Sequence, residues 1–382
     1  MHTVVVGGGI VGLASAYYLT QRGVDVTVCE KGSLGAGSTE RSVGGIRAQY
    51  SSPVNVELSK ASLDVWTSFE ATFDADIAYR QHGYLFLARG DETAAGLREA
   101  VELQNDLGVP TDLLAPADAR EFCPALHDEA FAVASYGPVD GYADPHLALQ
   151  AFGRAAAEAG ADVRTKTTVT AINREGETVT GVTAGGERLD ADFVVNAAGP
   201  WAAHVADLAG VDVPVRPKRR QVIVVDPETP VPETAPLTID LDTGAHFRPE
   251  RGGTALVGGH FDEADPDQDP DGFDRTVDFG WAGTALSRAA DVAGYFGPDS
   301  RVRRGWAGLY AVTPDHHPIV EETVPGFVNA VGFSGHGFQH APATGQLVAE
   351  LVCDGAASLV DVSALGSDRF ESGDLRDERH VA

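Results

Sequence analysis

The chain has 382 residues, of which 43% are hydrophobic and 22% are charged. This length can bury a sizeable core and favours a large α/β domain with a second, interleaved domain. The 56 acidic and 28 basic residues give a net charge of −28. Such a charge disfavours a nucleic-acid partner, because phosphate binding needs a basic face.

The sequence also limits the cellular compartments in which the protein is expected. No apolar run reaches the roughly 18–20 residues that a transmembrane helix needs, and no cationic leader with a cleavage site opens the chain. The cysteines Cys29, Cys123 and Cys353 are widely spaced, which favours a reducing compartment and disfavours a dithiol redox site or a zinc site. We therefore expect a cytoplasmic protein, with a peripheral position at the inner face of the membrane as the alternative.

The negative charge also predicts a response to salt. Only four of the 28 basic residues are lysines, and an acidic, lysine-poor surface resembles that of proteins from salt-accumulating halophiles. Molar salt shortens the Debye length to about 3 Å and screens the repulsion between like charges. The melting temperature should therefore rise steeply between dilute buffer and molar salt, whereas a flat profile would contradict a halophilic origin.

The start of the chain carries a nucleotide-binding pattern. The β-branched run "TVVV" is typical of a buried parallel strand, and Gly7, Gly9 and Gly12 follow it with GxGxxG spacing. Residues 10–23 show helical periodicity, and the next strand, "VDVTVCE", ends at Glu30. In a dinucleotide-binding turn these glycines allow the tight turn, the approach of a pyrophosphate and the packing of helix on strand, while the acidic residue binds ribose hydroxyls. The order of these elements predicts a dinucleotide site.

The segment after Glu30 favours FAD over NAD. A plain NAD dehydrogenase would continue with alternating strands and helices, whereas this chain continues "KGSLGAGSTERSVGGIRAQY". A Gly/Ser-rich segment here can wrap the pyrophosphate and reach a flavin. The hydroxyls and positive charges that it offers belong to Ser38, Thr39, Ser42, Arg41 and Arg47.

The rest of the chain predicts two sheets with helices between their strands. "DPHLALQAFGRAAAEAGADV" predicts a helix with an N-cap at Asp144 and a stop at Gly160. Residues 161–195 predict strands joined by Gly-containing turns, and "RRQVIVVD", "AHFRPE" and "GGTALVGGH" predict strands of a second sheet. Near the end, "GFVNAV" predicts a strand that leads through "SGHGF" into a helix. The glycines at this junction predict that the backbone lies against a ligand.

One acidic stretch, "DQDPDGFDRTVD" at 267–278, has the spacing of a calcium-binding loop. It follows a strand rather than a helix, and Pro270 lies inside it. In a chain that is acidic throughout, a solvated loop is the better interpretation. We predict no metal site.

Six blocks of the sequence resemble the FAD-dependent D-amino acid oxidase superfamily, which includes glycine oxidase and sarcosine oxidase. They run in the family's order over nearly the whole chain. Within the group, the "GxGST-R-S-GG-R" and "SGHGF" forms are most similar to beta subunits of multi-subunit sarcosine oxidases and to FAD-linked proline dehydrogenases. The six blocks are "VVVGGGIVGLASAYYL", "GAGSTERSVGGIR", "GYLFLA", "VNAAGPWA", "GLYAVTPDHHPIV" and "GFSGHGFQHAPATG".

The resemblance implies an α/β fold in which a Rossmann-type FAD-binding domain is interleaved with an α+β substrate-binding domain whose sheet is mostly antiparallel. The polar residues after 370 predict a disordered tail. The expected bounds are 1–78, 140–212 and 322–370 for the FAD-binding domain, 79–139 and 213–321 for the substrate-binding domain, and 371–382 for the tail.

The resemblance also implies the residues of the site. Arg47, His260, Tyr310 and Gly335 take the catalytic positions, and the helix after "SGHGF" points its N-terminus at the flavin. The expected FAD-binding residues are Gly7, Gly9, Ile10, Val11, Gly12, Glu30, Lys31, Ser38, Thr39, Arg41, Ser42, Val169, Ala198, Gly199, Trp201, Gly335, Gly337, Phe338 and Gln339.

The chemistry implied by the resemblance is oxidation of a carbon–nitrogen bond. A neutral amine of the glycine, sarcosine, proline or D-amino acid type gives hydride to flavin N5, and water hydrolyses the resulting imine. One alternative within the same fold is an FAD-dependent 2-hydroxy acid oxidase or dehydrogenase. Another is a non-catalytic flavoprotein subunit of an electron-transfer complex.

Four positions depart from the monomeric sarcosine oxidases. Gly308 stands where they tether the flavin through a cysteine, so we expect noncovalent FAD. Leu256 stands where they carry the lysine at which oxygen reacts, so we expect a dehydrogenase that passes electrons to a quinone or a protein acceptor. Tyr50 and Gln339 replace the two residues that bind the substrate carboxylate, so the substrate itself stays open.

Overall fold

A computed structural model of the chain describes residues 1–261, 264–373, 375 and 377–380. Its strands, in chain order, are β1 (His2–Val6), β2 (Asp25–Cys29), β3 (Gly45–Ile46), β4 (Tyr84–Ala88), β5 (Asp112–Leu114), β6 (Val133–Gly137), β7 (Gly141–Tyr142), β8 (Asp162–Arg164), β9 (Val169–Glu175), β10 (Thr178–Ala184), β11 (Glu187–Asp190), β12 (Phe193–Asn196), β13 (Arg216–Asp226), β14 (Leu237–Asp240), β15 (His246–Pro249), β16 (Ala255–Gly259), β17 (Arg301–Val312), β18 (Ile319–Val324) and β19 (Phe327–Val331).

The described α-helices pack on one another and on the two large sheets that these strands form. None of them combines the length and the apolar character that crossing a bilayer requires. In chain order the helices are α1 (Ile10–Gln21), α2 (Pro53–Thr67), α3 (Phe69–Phe73), α4 (Asp91–Asp106), α5 (Pro145–Glu158), α6 (Ala202–Leu208), α7 (Phe279–Val292), α8 (Gly337–Asp354) and α9 (Arg369–Ser372).

The first large sheet has the Rossmann-type arrangement that the sequence predicted. Its strand order is β18-β19-β12-β1-β2-β8, and all neighbours are parallel except β18 and β19. The valines of β1 are buried, as a parallel strand covered on both faces requires. Helix α1 packs between α5 and α8 over this sheet. The predicted N-cap of α5 is confirmed, since the Asp144 carboxylate accepts hydrogen bonds from the N–H groups of His146 and Leu147.

The second large sheet is mostly antiparallel, also as predicted. Its order is β17-β13-β16-β15-β14-β4-β6-β5, and only β14 and β4 run parallel. Its strands come from residues 84–137 and 216–312, which lie inside the ranges expected for the substrate-binding domain. The domain bounds themselves stay a prediction.

Two segments differ from the expectation. Helix α8 begins at Gly337, inside the "SGHGF" segment that was expected to precede it, and contains Pro342. The tail expected to be disordered from residue 371 instead contains buried residues, with Glu378 2% exposed and His380 5% exposed. Positions 374, 376, 381 and 382 of that tail lie outside the described residues. Polar composition alone predicted disorder, whereas buried hydrogen-bond partners from distant parts of the chain hold Glu378 and His380 in place.

Candidate active site

A cavity of about 580 Å³ runs between the two large sheets. It brings together almost every residue that the sequence predicted for the site. At one end lie the β1–α1 turn and Glu30, and at the other lie Arg47, Tyr310 and the start of α8. The predicted residues that line it are Gly7, Gly9, Ile10, Val11, Glu30, Lys31, Ser38, Thr39, Arg41, Ser42, Arg47, Val169, Ala198, Gly199, Trp201, Tyr310, Gly335, Gly337, Phe338 and Gln339.

The three glycines of the β1–α1 turn have separate structural reasons. Gly7 has φ +113°, a conformation that side chains rarely adopt. A Cβ on Gly12 would stand 2.0 Å from the carbonyl oxygen of Gly7, so Gly12 lets α1 pack on β1 behind the cavity wall. A Cβ on Gly9 would meet only the hydroxyl of Thr39, at 3.4 Å, because Gly9 faces the open cavity. Gly9 is therefore the glycine whose missing side chain leaves room for a ligand.

The carboxylate of Glu30 is fixed at the end of β2. One oxygen accepts the N–H of Gly8 at 2.8 Å, and the other accepts the N–H of Gly32 at 2.6 Å. These bonds tie the second strand to the glycine turn and hold the carboxylate at the cavity wall. A carboxylate held at this place can accept hydrogen bonds from ribose hydroxyls.

The acidic stretch 267–278 closes part of this end of the cavity. The Asp271 carboxylate accepts the indole N–H of Trp201 at 3.1 Å and pairs with the ammonium of Lys31, which lies 4.0 Å from the Trp201 ring centroid. The hydrogen bond from Lys31 lowers the pKa of Asp271. No metal-binding cluster occurs among the described residues. The stretch is thus more than the solvated loop that the sequence predicted, because Asp271 reaches the cavity wall.

Arg47 is a buried cation at the opposite end. Its guanidinium lies 4.0 Å from the ring centroid of Tyr50 and donates to the carbonyl of Gln49 and, at 3.2 Å, to Nε2 of His336. Burial and the charge of Arg47 lower the pKa of His336 well below its usual value, so the ring is neutral. The backbone N–H of Arg47 donates to the side-chain oxygen of Gln339 at 2.9 Å. This network fixes a positive charge in the cavity wall.

Tyr310 and Gly335 meet beside Arg47 at the start of α8. Gly335 has φ +97°, and a Cβ there would stand 2.4 Å from the ring of Tyr310. The loss of water around the Tyr310 hydroxyl raises its pKa, so the phenol keeps its proton at neutral pH. Helix α8 begins two residues later and directs the positive end of its dipole to this side of the cavity. The junction can therefore stabilise negative charge on a bound group.

The structure does not bring His260 into the cavity. It lies at the end of β16, after Gly259 at φ +151°, with Nε2 3.9 Å from the Asp265 carboxylate. The cavity is instead lined by His246 of the neighbouring strand β15. Burial lowers the pKa of this histidine to about 4. Arg220 of β13 also lines the cavity. We therefore withdraw the expected catalytic role of His260. The sequence did not reveal His246 and Arg220 as residues of the cavity, because the strands that carry them contain no site motif.

Residues 2–351 match the protein family described as FAD dependent oxidoreductase. The chain belongs to this family. It is 34% identical to L-proline dehydrogenase from P. horikoshii, with a TM-score of 0.90 and coverage of 98% of this chain and 99% of that one. It is 27% identical to glycine oxidase from Geobacillus kaustophilus, with a TM-score of 0.84 and coverage of 96% of this chain and 98% of that one. The chain is also 29% identical to sarcosine oxidase subunit beta from Arthrobacter sp, over 99% of this chain and 93% of the relative.

The cavity of this FAD-dependent oxidoreductase fits its cofactor. The open cradle at Gly9 and the N–H groups that begin α1 suit a pyrophosphate, and Glu30 suits a ribose. The glycines at 335 and 337 leave backbone exposed along the far wall, where a flat ring can lie. The family, the fold and these residues agree on FAD as the cofactor.

The wall at Gly308 predicts that FAD is held without a covalent bond. Gly308 lines the cavity, and a Cβ there would stand 2.9 Å from Cβ of Arg41, so the position offers no tethering side chain. Denaturation in acid or urea should release all the yellow colour into the filtrate. Colour that stays with the precipitated protein would contradict this expectation.

Proposed function

We propose that this protein oxidises the carbon–nitrogen bond of an amino acid or a secondary amine, with hydride transfer to flavin N5 and hydrolysis of the imine product. The observation that carries the proposal is the single cavity that joins a dinucleotide turn to Arg47, Tyr310 and the start of α8. The names of the similar proteins, which refer to proline, glycine and sarcosine, support this substrate class.

The residues around the substrate end are suited to orient a neutral amine and to exclude water. FAD, when bound, supplies the two-electron redox chemistry. Arg47 contributes a fixed positive charge, and the protonated phenol of Tyr310 can donate a hydrogen bond to the substrate. The missing side chain of Gly335 makes room for the Tyr310 ring. We assign no general base, because a neutral amine loses hydride without prior loss of a proton. We propose that the residues expected to bind FAD do so where they line the cavity. Gly12 does not line it and instead allows α1 to pack on the glycine turn.

The two residues that bind the substrate carboxylate in monomeric sarcosine oxidases are replaced in this chain. Tyr50 and Gln339, which replace them, are hydrogen bonded to each other. The guanidinium of Arg220 is held by both oxygens of Asp265, at 2.8 and 2.9 Å. A secondary amine or a cyclic amino acid bound through few charged contacts therefore suits the site better than a substrate clamped by its carboxylate.

The test is turnover with an artificial electron acceptor in high salt. Glycine, sarcosine, proline, D-alanine and a set of 2-hydroxy acids are offered to the purified protein, and the products are identified. We expect dye reduction with one or more amines and release of the corresponding imine-derived product. Turnover of hydroxy acids alone would establish the alternative substrate class, and a flavoprotein that turns over none of them would point to a non-catalytic subunit.

We also propose an electron acceptor other than oxygen, such as a quinone or a protein. Reduction of oxygen is slow unless a positive charge stabilises the superoxide that forms first. Leu256 is not among the residues that line the cavity. It lies on the cavity-facing side of the second sheet and packs there against Val222 and Val224, so it offers no charge at this wall.

Arg220, a cation that lines the cavity, is paired with the carboxylate of Asp265, which neutralises its charge. Arg47 keeps its charge in the same wall, but its guanidinium already donates to Gln49, His336 and His380. We therefore propose that substrate-reduced protein reacts slowly with oxygen.

Stopped-flow mixing of substrate-reduced protein with air-saturated buffer measures this rate directly. Reoxidation slower than dye reduction is the expected result, and reoxidation that keeps pace with turnover would show an oxidase. Replacing Asp265 with asparagine frees the charge of Arg220 and should increase the rate with oxygen while the rate with the dye changes little.

A further inference from the structure

Residues 377–380, here called the tail segment, bury the side chains of Glu378 and His380 behind the substrate end of the cavity, while Asp377 and Arg379 stay exposed. Glu378 and His380 are 2% and 5% exposed. Neither lines the cavity, whereas Arg47, which the segment contacts, does. The segment therefore does not block the cavity, and any effect that it has on the site passes through the residues it touches.

Glu378 occupies a carboxylate-binding pocket at the N-terminus of α2. One oxygen accepts the backbone N–H of Ser51 at 2.8 Å and its hydroxyl at 2.6 Å. The other accepts the hydroxyl of Ser52 at 2.6 Å and the side-chain amide of Asn55 at 3.2 Å. Four donors at the start of a 15-residue helix, with its positive dipole end, make a strong anchor for one carboxylate.

The anchor is formed at neutral pH. Burial alone would raise the pKa of Glu378, but His380 and the donors from Ser51 and Ser52 outweigh it and lower the pKa to about 2. Burial lowers the pKa of His380 to about 4, so its ring is neutral and the serine donors stabilise the carboxylate. The contribution of Glu378 is present above its ordinary pKa and is lost only as the pH falls towards 2.

The anchored segment delivers a hydrogen-bond acceptor to Arg47. The backbone carbonyl of His380 accepts from Nη2 of Arg47, while the ring of His380 packs against Phe86 at 5.2 Å between centroids. The other Nη2 hydrogen is directed to Nε2 of His336. With both Nη2 hydrogens engaged, Arg47 presents its remaining N–H groups singly, not as a fork that could clamp a carboxylate.

We propose that Glu378 is a positioning residue for the reaction: by anchoring the tail segment on α2, it holds the His380 carbonyl against Arg47 and fixes the guanidinium at the cavity wall. The inference rests on the proposed function, because it assigns the segment a part in that same site. A displacement of about 1 Å at such a site lowers rates on the order of 10²-fold. The anchor thus selects one orientation of Arg47 and favours a substrate held by single hydrogen bonds.

The kinetic test compares Glu378→Gln with Glu378→Asp and with the control Glu371→Gln, which changes an exposed glutamate of α9. In Glu378→Gln the amide NH₂ would face the donors of Ser51 or Ser52. We expect the flavin reduction rate at saturating substrate to fall on the order of 10²-fold per bound FAD, with partial rescue in Glu378→Asp and no change in the control. An unchanged rate would overturn the proposal, and a faster rate would show an inhibitory segment and overturn it as well.

A second measurement does not depend on the substrate. Phenylglyoxal modifies accessible arginines, and mass spectrometry reports its attack on Arg47 in the cofactor-free protein. We expect faster modification of Arg47 in Glu378→Gln than in the wild type or in Glu371→Gln. Equal rates would show that the segment does not hold Arg47. If no amine reduces the wild-type flavin, the proposed function fails. The phenylglyoxal measurement still shows whether Glu378 holds Arg47 in place.

Discussion

Replacing Gly9 with valine is expected to give a folded protein that contains no FAD. Gly9 has an extended backbone with φ −80° and ψ 179°, which valine adopts readily. Its new side chain would project into the cavity, where only the Thr39 hydroxyl lies near, and would fill the place of the pyrophosphate. The purified variant should be colourless, with near-wild-type circular dichroism.

Two other glycines provide the controls for this substitution. At Gly283 of α7 no atom lies within 4 Å of the point that a Cβ would occupy, so Gly283→Val should keep its FAD. Gly12→Val places its Cβ 2.0 Å from a backbone carbonyl and should damage the fold itself. A yellow Gly9→Val protein with the FAD content of the wild type would contradict the placement of the pyrophosphate at this turn.

Replacing Arg47 with lysine should leave FAD bound but slow the reaction strongly. Lysine keeps the charge and loses the planar group that bonds Gln49, His336 and His380 while stacking on Tyr50. Loss of one preorganised donor costs roughly 10²–10³-fold in rate, and we expect the flavin reduction rate to fall by that factor. The unpaired carbonyls should also lower the free energy of unfolding by about 1–3 kcal/mol.

The measurement for Arg47→Lys is flavin reduction at saturating substrate, expressed per bound FAD, beside a thermal melt. The control Arg98→Lys makes the same exchange on the exposed face of α4, where neither the rate nor the melting temperature should change. An Arg47→Lys protein that is less stable and yet reduces at the wild-type rate would show that Arg47 has only a structural role.

Local signals in the sequence were sufficient for the elements that bind the dinucleotide. The N-cap Asp144 depends on neighbours two and three residues away, and the glycine turn and Glu30 belong to one short strand–helix–strand unit, so spacing alone located them. The order of the six family blocks then predicted both sheets, and the structure has them.

The substrate end depends on information that spacing does not contain. Every residue of β16 is buried, so its pattern does not tell which side chains face the cavity, and His260, which follows this strand, was misplaced. Glu378 meets Ser51 across 327 positions of sequence, and nothing local distinguishes it from the other acidic residues of a polar tail. The hydrogen bonds that fix the orientation of the Arg47 guanidinium join residues far apart in the sequence, so only the folded chain reveals them.

The central claim, hydride removal from a carbon next to nitrogen inside this cavity, is tested most directly by anaerobic single-turnover reduction of the bound flavin. The holoprotein is mixed in high salt with proline, sarcosine or glycine, each with hydrogen or deuterium at the reacting carbon, and the visible flavin absorbance is followed. The account predicts complete bleaching by at least one of these amines, clearly slower with deuterium. Bleaching by 2-hydroxy acids alone, or by a chemical reductant alone, would contradict it.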